Sequence, residues 1–190
     1  MNGEPSNAEV LNRAGLAGLA LGAVSTAYMF AIQYLPQFIT SNAAVSLISV
    51  PLWIAKFVGC IWILKAFMSG LASSFPGTER RHTLRLGMLA AVFSALVFSA
   101  ATLANTLFIS PDAISEAFDQ YLGMYASKLD SNTIASIDAM KEKLPAITFF
   151  SNLFYCTVYG TAVSSILSRS IPKTDPFANF HDGPQDVEEQ

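Results

Sequence analysis

Four long apolar stretches dominate this chain of 190 residues. They cover residues 14–38, 46–71, 86–109 and 146–168. A helix needs about 20 mostly apolar residues to cross a hydrocarbon core of about 30 Å, and each stretch reaches that length. Only helices and closed barrels satisfy their backbone polar groups in lipid, and these stretches lack the two-residue alternation of barrel strands. The sequence therefore predicts an all-α fold, an integral membrane four-helix bundle.

Composition excludes several classes of function. The chain is 52% hydrophobic and 13% charged, whereas soluble domains carry roughly 25% charged residues. Its net charge of −3 argues against nucleic acid as a partner. Cys60 and Cys156 lie inside apolar stretches, where we expect small hydrophobic side chains rather than a disulfide or a metal pair. The lipid bilayer is the partner that this composition predicts.

The first apolar stretch could also be read as a cleaved signal peptide. The segment before it carries Glu4, Glu9 and a single Arg13, which is a poor positive n-region, and the apolar run is too long. Ser6 and Glu9 have the spacing of a capping box. We therefore expect an uncleaved helix that begins before the membrane and continues into it.

Positive charge in the short connections predicts the orientation. The connection between the second and third stretches holds three arginines, one arginine precedes the first stretch, and two basic residues follow the fourth: Arg80, Arg81, Arg85, Arg13, Arg169 and Lys173. The link between the first two stretches has no charge. Both termini and the arginine loop are therefore predicted to be cytoplasmic.

The remaining segments fall into three regions. Residues 1–13 form a cytoplasmic lead-in to a transmembrane domain over 14–171. Within that domain, apolar residues recur at helical spacing over 110–145, which predicts a short amphipathic helical segment outside the membrane between spans three and four. We expect this segment to cap the bundle or lie at the lipid interface, in preference to the alternative of a dedicated binding surface. Residues 172–190 are polar and acidic, so disorder is expected for this cytoplasmic tail.

Small residues at four-residue intervals mark two packing faces. The first stretch carries Gly18 and Gly22, and the fourth carries Gly160 and Ser164. Small side chains let helix backbones approach closely in lipid, where dispersion and hydrogen bonds supply the attraction. Two such strips on separate stretches favour contacts within one bundle over homodimerisation.

Two lysines interrupt the second stretch, at a cost of about 2.5–3.5 kcal/mol each at a helix centre. Helical side chains tilt toward the helix N-terminus, which for this span is on the outer side of the membrane. Lys56 lies nearer that side, so it can snorkel: its ammonium reaches the outer interface while its methylene groups stay in lipid. Lys65 lies nearer the cytoplasmic interface and points away from it. Two orientations of Lys65 are open. In the first it faces the bundle interior or a water-filled cavity, where it meets Asn105, Asn152, a carbonyl or an anion. In the second it bends sharply back to the cytoplasmic interface. The candidate intramembrane polar site is therefore Lys65 with Asn105 and Asn152.

Recognisable catalytic chemistry is absent from the sequence. His82 and His181 have no ligand set at metal spacing, and the sequence has no phosphate loop, nucleophile elbow or dinucleotide fingerprint. We expect a protein that is not an enzyme and that needs no cofactor or metal.

The second half of the chain resembles a known family in the order of its parts. A basic loop leads into a span at RRHTLRLGMLAAVFSALVF, an amphipathic segment follows at YLGMYASKLDSNTIASIDAMKEK, and the chain returns at LPAITFFSNLFYCTVYGTAVSSILSRSI. This pattern, over roughly 80–171 and less distinctly over the first two stretches, resembles an uncharacterised bacterial membrane family, domain of unknown function 4199. The acidic tail after Lys173 departs from the family, whose members are expected to end soon after the last span. The resemblance implies four spans in a bacterial inner membrane and carries over no activity.

Two functions follow as expectations. The first is a non-enzymatic accessory or scaffold protein that acts through helix–helix contacts with a membrane-protein partner or in a homo-oligomer. The alternative is a small oligomeric transport or channel component in which Lys65 contacts an anionic substrate. A stable partner would favour the first, and flux through the protein alone would favour the second.

Overall fold

The computed structural model is a bundle of four long helices. It describes residues 4–39, 41–111 and 143–171, together with the single positions 116, 119, 120, 123, 124, 130, 133, 136 and 140. The helices are α1 (Asn7–Phe38), α2 (Asn42–Ser74), α3 (Arg80–Ala104) and α4 (Leu144–Leu167), and a π-helical turn (Asn105–Ile109) continues α3. All four are long and apolar enough to cross a membrane by length and composition. The predicted all-α fold with four apolar helices is confirmed, and no strand occurs among the described residues.

Polar caps extend two helices beyond their apolar stretches. The Ser6 side chain accepts a hydrogen bond of 3.2 Å from the Glu9 backbone N–H, and Arg13 Nε donates to the Glu9 carboxylate at 2.8 Å. At the start of α3, the Glu79 backbone N–H donates to His82 Nδ1 at 3.2 Å. Capping satisfies backbone donors that have no partner in the first helical turn. The expectation that the first helix begins before its apolar stretch is thereby confirmed.

α3 is the central helix, and α1 packs along one of its sides. A Cβ atom added to Gly18 would lie 2.9 Å from the Ala90 carbonyl oxygen, and one added to Gly22 would lie 2.7 Å from the Val97 side chain. Such distances leave no space for a side chain, so the two glycines allow the α1 and α3 backbones to approach closely.

α4 packs on another side of α3 by the same device. A Cβ atom on Gly160 would lie 2.6 Å from that of Ala91, and Ser164 is fully buried against Gly87. The four packing residues predicted from the sequence therefore all lie against the central helix. Their partners Gly87 and Ala91 belong to a face of α3 that the sequence analysis did not identify.

The four helices converge at one end of the bundle, which we call the closed end. Val10, Leu71 and Leu86 are buried there, together with Ile171 just after α4. The Thr83 hydroxyl donates to the Ile171 carbonyl oxygen at 3.0 Å and so fixes the exit of α4 against the start of α3. Arg80, Arg81 and Arg85, which the structure places in the first two turns of α3, lie at this same end with Arg13 of α1.

α2 separates from the bundle away from the closed end. It contacts α1, makes fewer contacts with α3, and touches α4 only slightly. Among its described side chains none before Leu64 is buried. In the most apolar 18-residue part of α2, only 6% of the residues are buried. A cleft therefore runs between α2 and α4.

Two predicted regions lie outside the described residues, the tail at 172–190 entirely and the amphipathic segment at 110–145 for the most part. At one described position of that segment, the Asp130 carboxylate accepts hydrogen bonds from the hydroxyl and backbone N–H of Thr133. These bonds favour the ionised carboxylate and hold the pKa of Asp130 below its usual range.

Candidate functional site

A cavity of about 230 Å³ lies among the four helices, between the closed end and the separated part of α2. Most of its wall is aliphatic or aromatic, and α2 and α4 supply more than half of the lining residues. Its polar groups are few: they include the Lys56 ammonium and the hydroxyls of Ser25 and Ser94. An apolar cavity with a small number of convergent polar groups is the usual form of a small-molecule site.

Lys56 is the charged group of this cavity. Its ammonium nitrogen lies 5.0 Å from the centroid of the Tyr28 ring and 5.7 Å from that of Phe98. Each such contact contributes roughly 0.5–2 kcal/mol. The two contacts together offset much of the about 2.5–3.5 kcal/mol that a lysine costs at the centre of a spanning helix.

The rings hold the ammonium but do not neutralise it. Residues 10–78, 80–111 and 143–171 contain no aspartate or glutamate. Glu9, in the first turn of α1, lies at the closed end, where it pairs with Arg13 at 2.8 Å. The cavity therefore carries a positive charge for which the described helices supply no carboxylate, and an anion is the species that it would attract.

The two lysines of α2 lie on opposite sides, with Lys56 inside and Lys65 on the exposed surface. The sequence predicted snorkelling for Lys56 and left both orientations of Lys65 open. The lysine that lies inside the bundle is therefore the one that was not expected there. Nine residues put the two lysines about 180° apart around α2, so both cannot face the cavity. Lys56 is the lysine that lines it, where the rings of Tyr28 and Phe98 meet its ammonium.

The other two predicted site residues lie elsewhere. The Asn105 side-chain amide donates to Gln33 Oε1 at 2.9 Å, and the Gln33 amide donates to Ser110 Oγ at 2.8 Å. These bonds join α1 to the π-helical turn, far along the helices from the closed end. Asn152 is half-buried on α4. None of Lys65, Asn105 and Asn152 lines the cavity, so the structure does not gather them into one site.

Both cysteines line the cavity, Cys60 from α2 and Cys156 from α4, and both are free thiols. Ser25 is within hydrogen-bonding reach of Cys60. In the part of the chain that the structure describes, no group of three or more His, Cys, Asp or Glu residues is placed to hold a metal ion.

Aromatic rings form the side wall of the cavity between α2 and α4. The Trp53 and Phe57 ring centroids are 5.6 Å apart, and those of Phe57 and Tyr159 are 5.8 Å apart. We call Trp53, Phe57 and Tyr159 the aromatic gate. Beside it Tyr155 is 72% exposed. Between α2 and α4, the described part of the chain therefore places only side chains between the cavity and the surface of the bundle.

No family model, curated protein or solved structure matches this chain. The resemblance to domain of unknown function 4199 stays a prediction, and the candidate site depends on geometry alone.

Proposed function

We propose that this protein is a multi-pass membrane protein that binds an anion at Lys56 within the bilayer, as a small binding or transport component. The observation that carries the proposal is the ammonium held inside the cavity, for which the described helices supply no carboxylate. Ionisable residues within membrane spans are rare, face the bundle interior or a cavity, and mark substrate or ion pathways. Lys56 therefore takes the role that the sequence analysis gave to Lys65.

The proposed location is a bacterial inner membrane with both termini in the cytoplasm. Four apolar helices support the spanning topology, and the basic residues support the orientation because they collect at the closed end. There Arg85 Nη1 donates to Asn7 Oδ1 at 2.6 Å and Arg13 Nη2 donates to Ser74 Oγ at 3.1 Å. Short loops rich in Arg and Lys stay on the cytoplasmic side.

Reporter fusions test this orientation. Alkaline phosphatase, which is active only outside the cytoplasm, should be active when fused after Met124 and inactive when fused after Gly77 or Ile171. Green fluorescent protein at the same three positions should give the opposite pattern. An active phosphatase after Gly77 would contradict the proposed topology, because that position follows α2 at the closed end.

Ligand-induced stabilisation tests the anion site. The unfolding temperature of the protein in lipid nanodiscs is measured with inorganic phosphate, benzoate and oleate. A ligand at 100 times its Kd stabilises by about 2.7 kcal/mol, which for a chain of this size is a shift of roughly 5 °C or more. We expect at least one anion to give this shift in the wild type and in Lys65→Met, but not in Lys56→Met. An equal shift in Lys56→Met, or none in the wild type, would overturn the proposal.

A second function is supported by the uncovered surface of α2. Leu47 and Trp62 are 76% and 70% exposed, on a helix that the rest of the protein hardly covers. We also propose, as the alternative, that the chain is a non-enzymatic accessory or scaffold protein whose α2 contacts a membrane-protein partner or a second copy. The mass of the particle extracted from its native membrane decides between a monomer and such a complex.

A further inference from the structure

We infer that the anion bound at Lys56 is an amphiphile: a single alkyl chain that ends in a carboxylate. The inference rests on the proposed function and adds the chemical class of the ligand. The α2 residues that line the cavity extend along the helix from Trp53 to Leu64. Eleven residues at about 1.5 Å each make this length about 16 Å.

The two ends of the cavity differ in chemistry. Lys56 lies toward one end and Ser25 lies near Cys60, one turn of α2 further along. Leu64, Val163 and Gly87 line the end that faces the bundle core. From the level of Lys56 to that of Leu64 the cavity extends about 12 Å. A compact hydrated anion would leave this apolar end unfilled, whereas an alkyl chain would bury its surface there at about 25 cal/mol per Å².

The polar end suits a head group with one negative charge. Lys56 is the one charged side chain among the described residues that line the cavity, and Ser25 and Ser94 supply hydroxyls to the same lining. A carboxylate would have its charge matched by one ammonium. A phosphate dianion would bring a second charge out of water without a partner, which is costly in a low-dielectric site.

The aromatic gate gives such a ligand a route from the bilayer. It stands where α2 and α4 barely touch, and Trp53 and Tyr159 are 54% and 40% exposed. An amphiphile already dissolved in the membrane can enter between the two helices by displacement of these side chains, with no aqueous path through the bundle.

Tryptophan quenching tests the inference, because the chain has two tryptophans in different surroundings. Trp53 lines the cavity and Trp62 does not. Trp62→Phe leaves Trp53 as the reporter of the cavity, and Trp53→Phe leaves Trp62 as the reporter of the surrounding lipid. The probe is a long-chain carboxylate with bromine in the half of the chain nearer the head, added to nanodiscs of phosphatidylcholine. Its methyl ester, the same chain with a phosphate head, and iodide are the comparison probes.

We expect saturable quenching of Trp53 by the carboxylate, and only gradual, unsaturated quenching of Trp62. In the Trp62→Phe background, Lys56→Met should raise the half-saturating concentration about tenfold or more, and Lys65→Met should not change it, because loss of one member of a buried charge pair weakens binding strongly. The methyl ester should bind the unsubstituted cavity about tenfold or more weakly than the acid. The comparison of acid with ester needs no lysine variant, so it still tests whether the site recognises a carboxylate if Lys56→Met does not fold.

Three results would overturn the inference. Equal binding of the acid and its ester would show a purely apolar site and would remove the proposed anion function as well. Saturable quenching by iodide that depends on Lys56, without carboxylate binding, would keep the anion function and reject the amphiphile. Tighter binding of the phosphate-headed chain would assign the site to a lipid phosphate instead of a carboxylate.

Discussion

Replacing Gly160 with leucine is expected to prevent α4 from docking and to leave little folded protein. A single Cβ at this position would already lie 2.6 Å from the Ala91 Cβ and 3.3 Å from the Ala91 Cα. Backbone atoms cannot move aside as the end of a flexible side chain can, so the helices would have to separate. Overpacking of a well-packed core costs about 1–3 kcal/mol and occasionally more, and a contact between two backbones belongs at the upper end.

Gly15→Leu is the matched control. A Cβ atom at Gly15 would meet nothing within 4 Å, and leucine is favoured over glycine in a helix by up to about 1 kcal/mol. The fraction of protein that remains monodisperse after heating, measured by size-exclusion chromatography, should fall sharply for Gly160→Leu and stay at the wild-type value or above it for Gly15→Leu. Equal stability of the two variants would show that the contact of α4 with α3 does not hold the bundle together.

The spans and the small-residue strips could be predicted from the sequence because both are local patterns. Length and apolar composition define a spanning helix without reference to any other helix. Gly18 and Gly22 lie four residues apart on one face, and such a strip has few uses in lipid other than close packing. The structure places both against α3.

The cavity could not be predicted because it depends on the rotation of each helix about its axis. The pattern of α2 is apolar on all sides, so periodicity did not indicate which lysine faces inward. The contacts of Lys56 come from Tyr28 and Phe98 on two other helices, and their proximity depends on tertiary packing. Side-chain direction alone predicted that Lys56 snorkels and left Lys65 as the one interior candidate, because it takes no account of aromatic rings that can hold an ammonium inside the bundle.

Lys56→Met is expected to abolish the retention of an anionic ligand by the purified protein. Truncation of one member of a buried charge pair costs roughly 2–5 kcal/mol, which is at least about a thirtyfold loss of affinity. The methionine side chain is apolar and of similar length, so the bundle should remain folded. Lys65→Met is the matched control, because Lys65 lies on the exposed surface of the same helix nine residues away.

The central claim is that Lys56 binds an anion, and native mass spectrometry tests it most directly. The wild type, Lys56→Met and Lys65→Met are each extracted from their own membrane in mild detergent. The wild type and Lys65→Met should each carry one additional anionic mass per chain, and Lys56→Met should carry none. The same spectra give the number of chains and any partner. A wild-type particle without a bound anion, or an anion kept equally by Lys56→Met, would contradict the assignment of Lys56 as a ligand-binding residue.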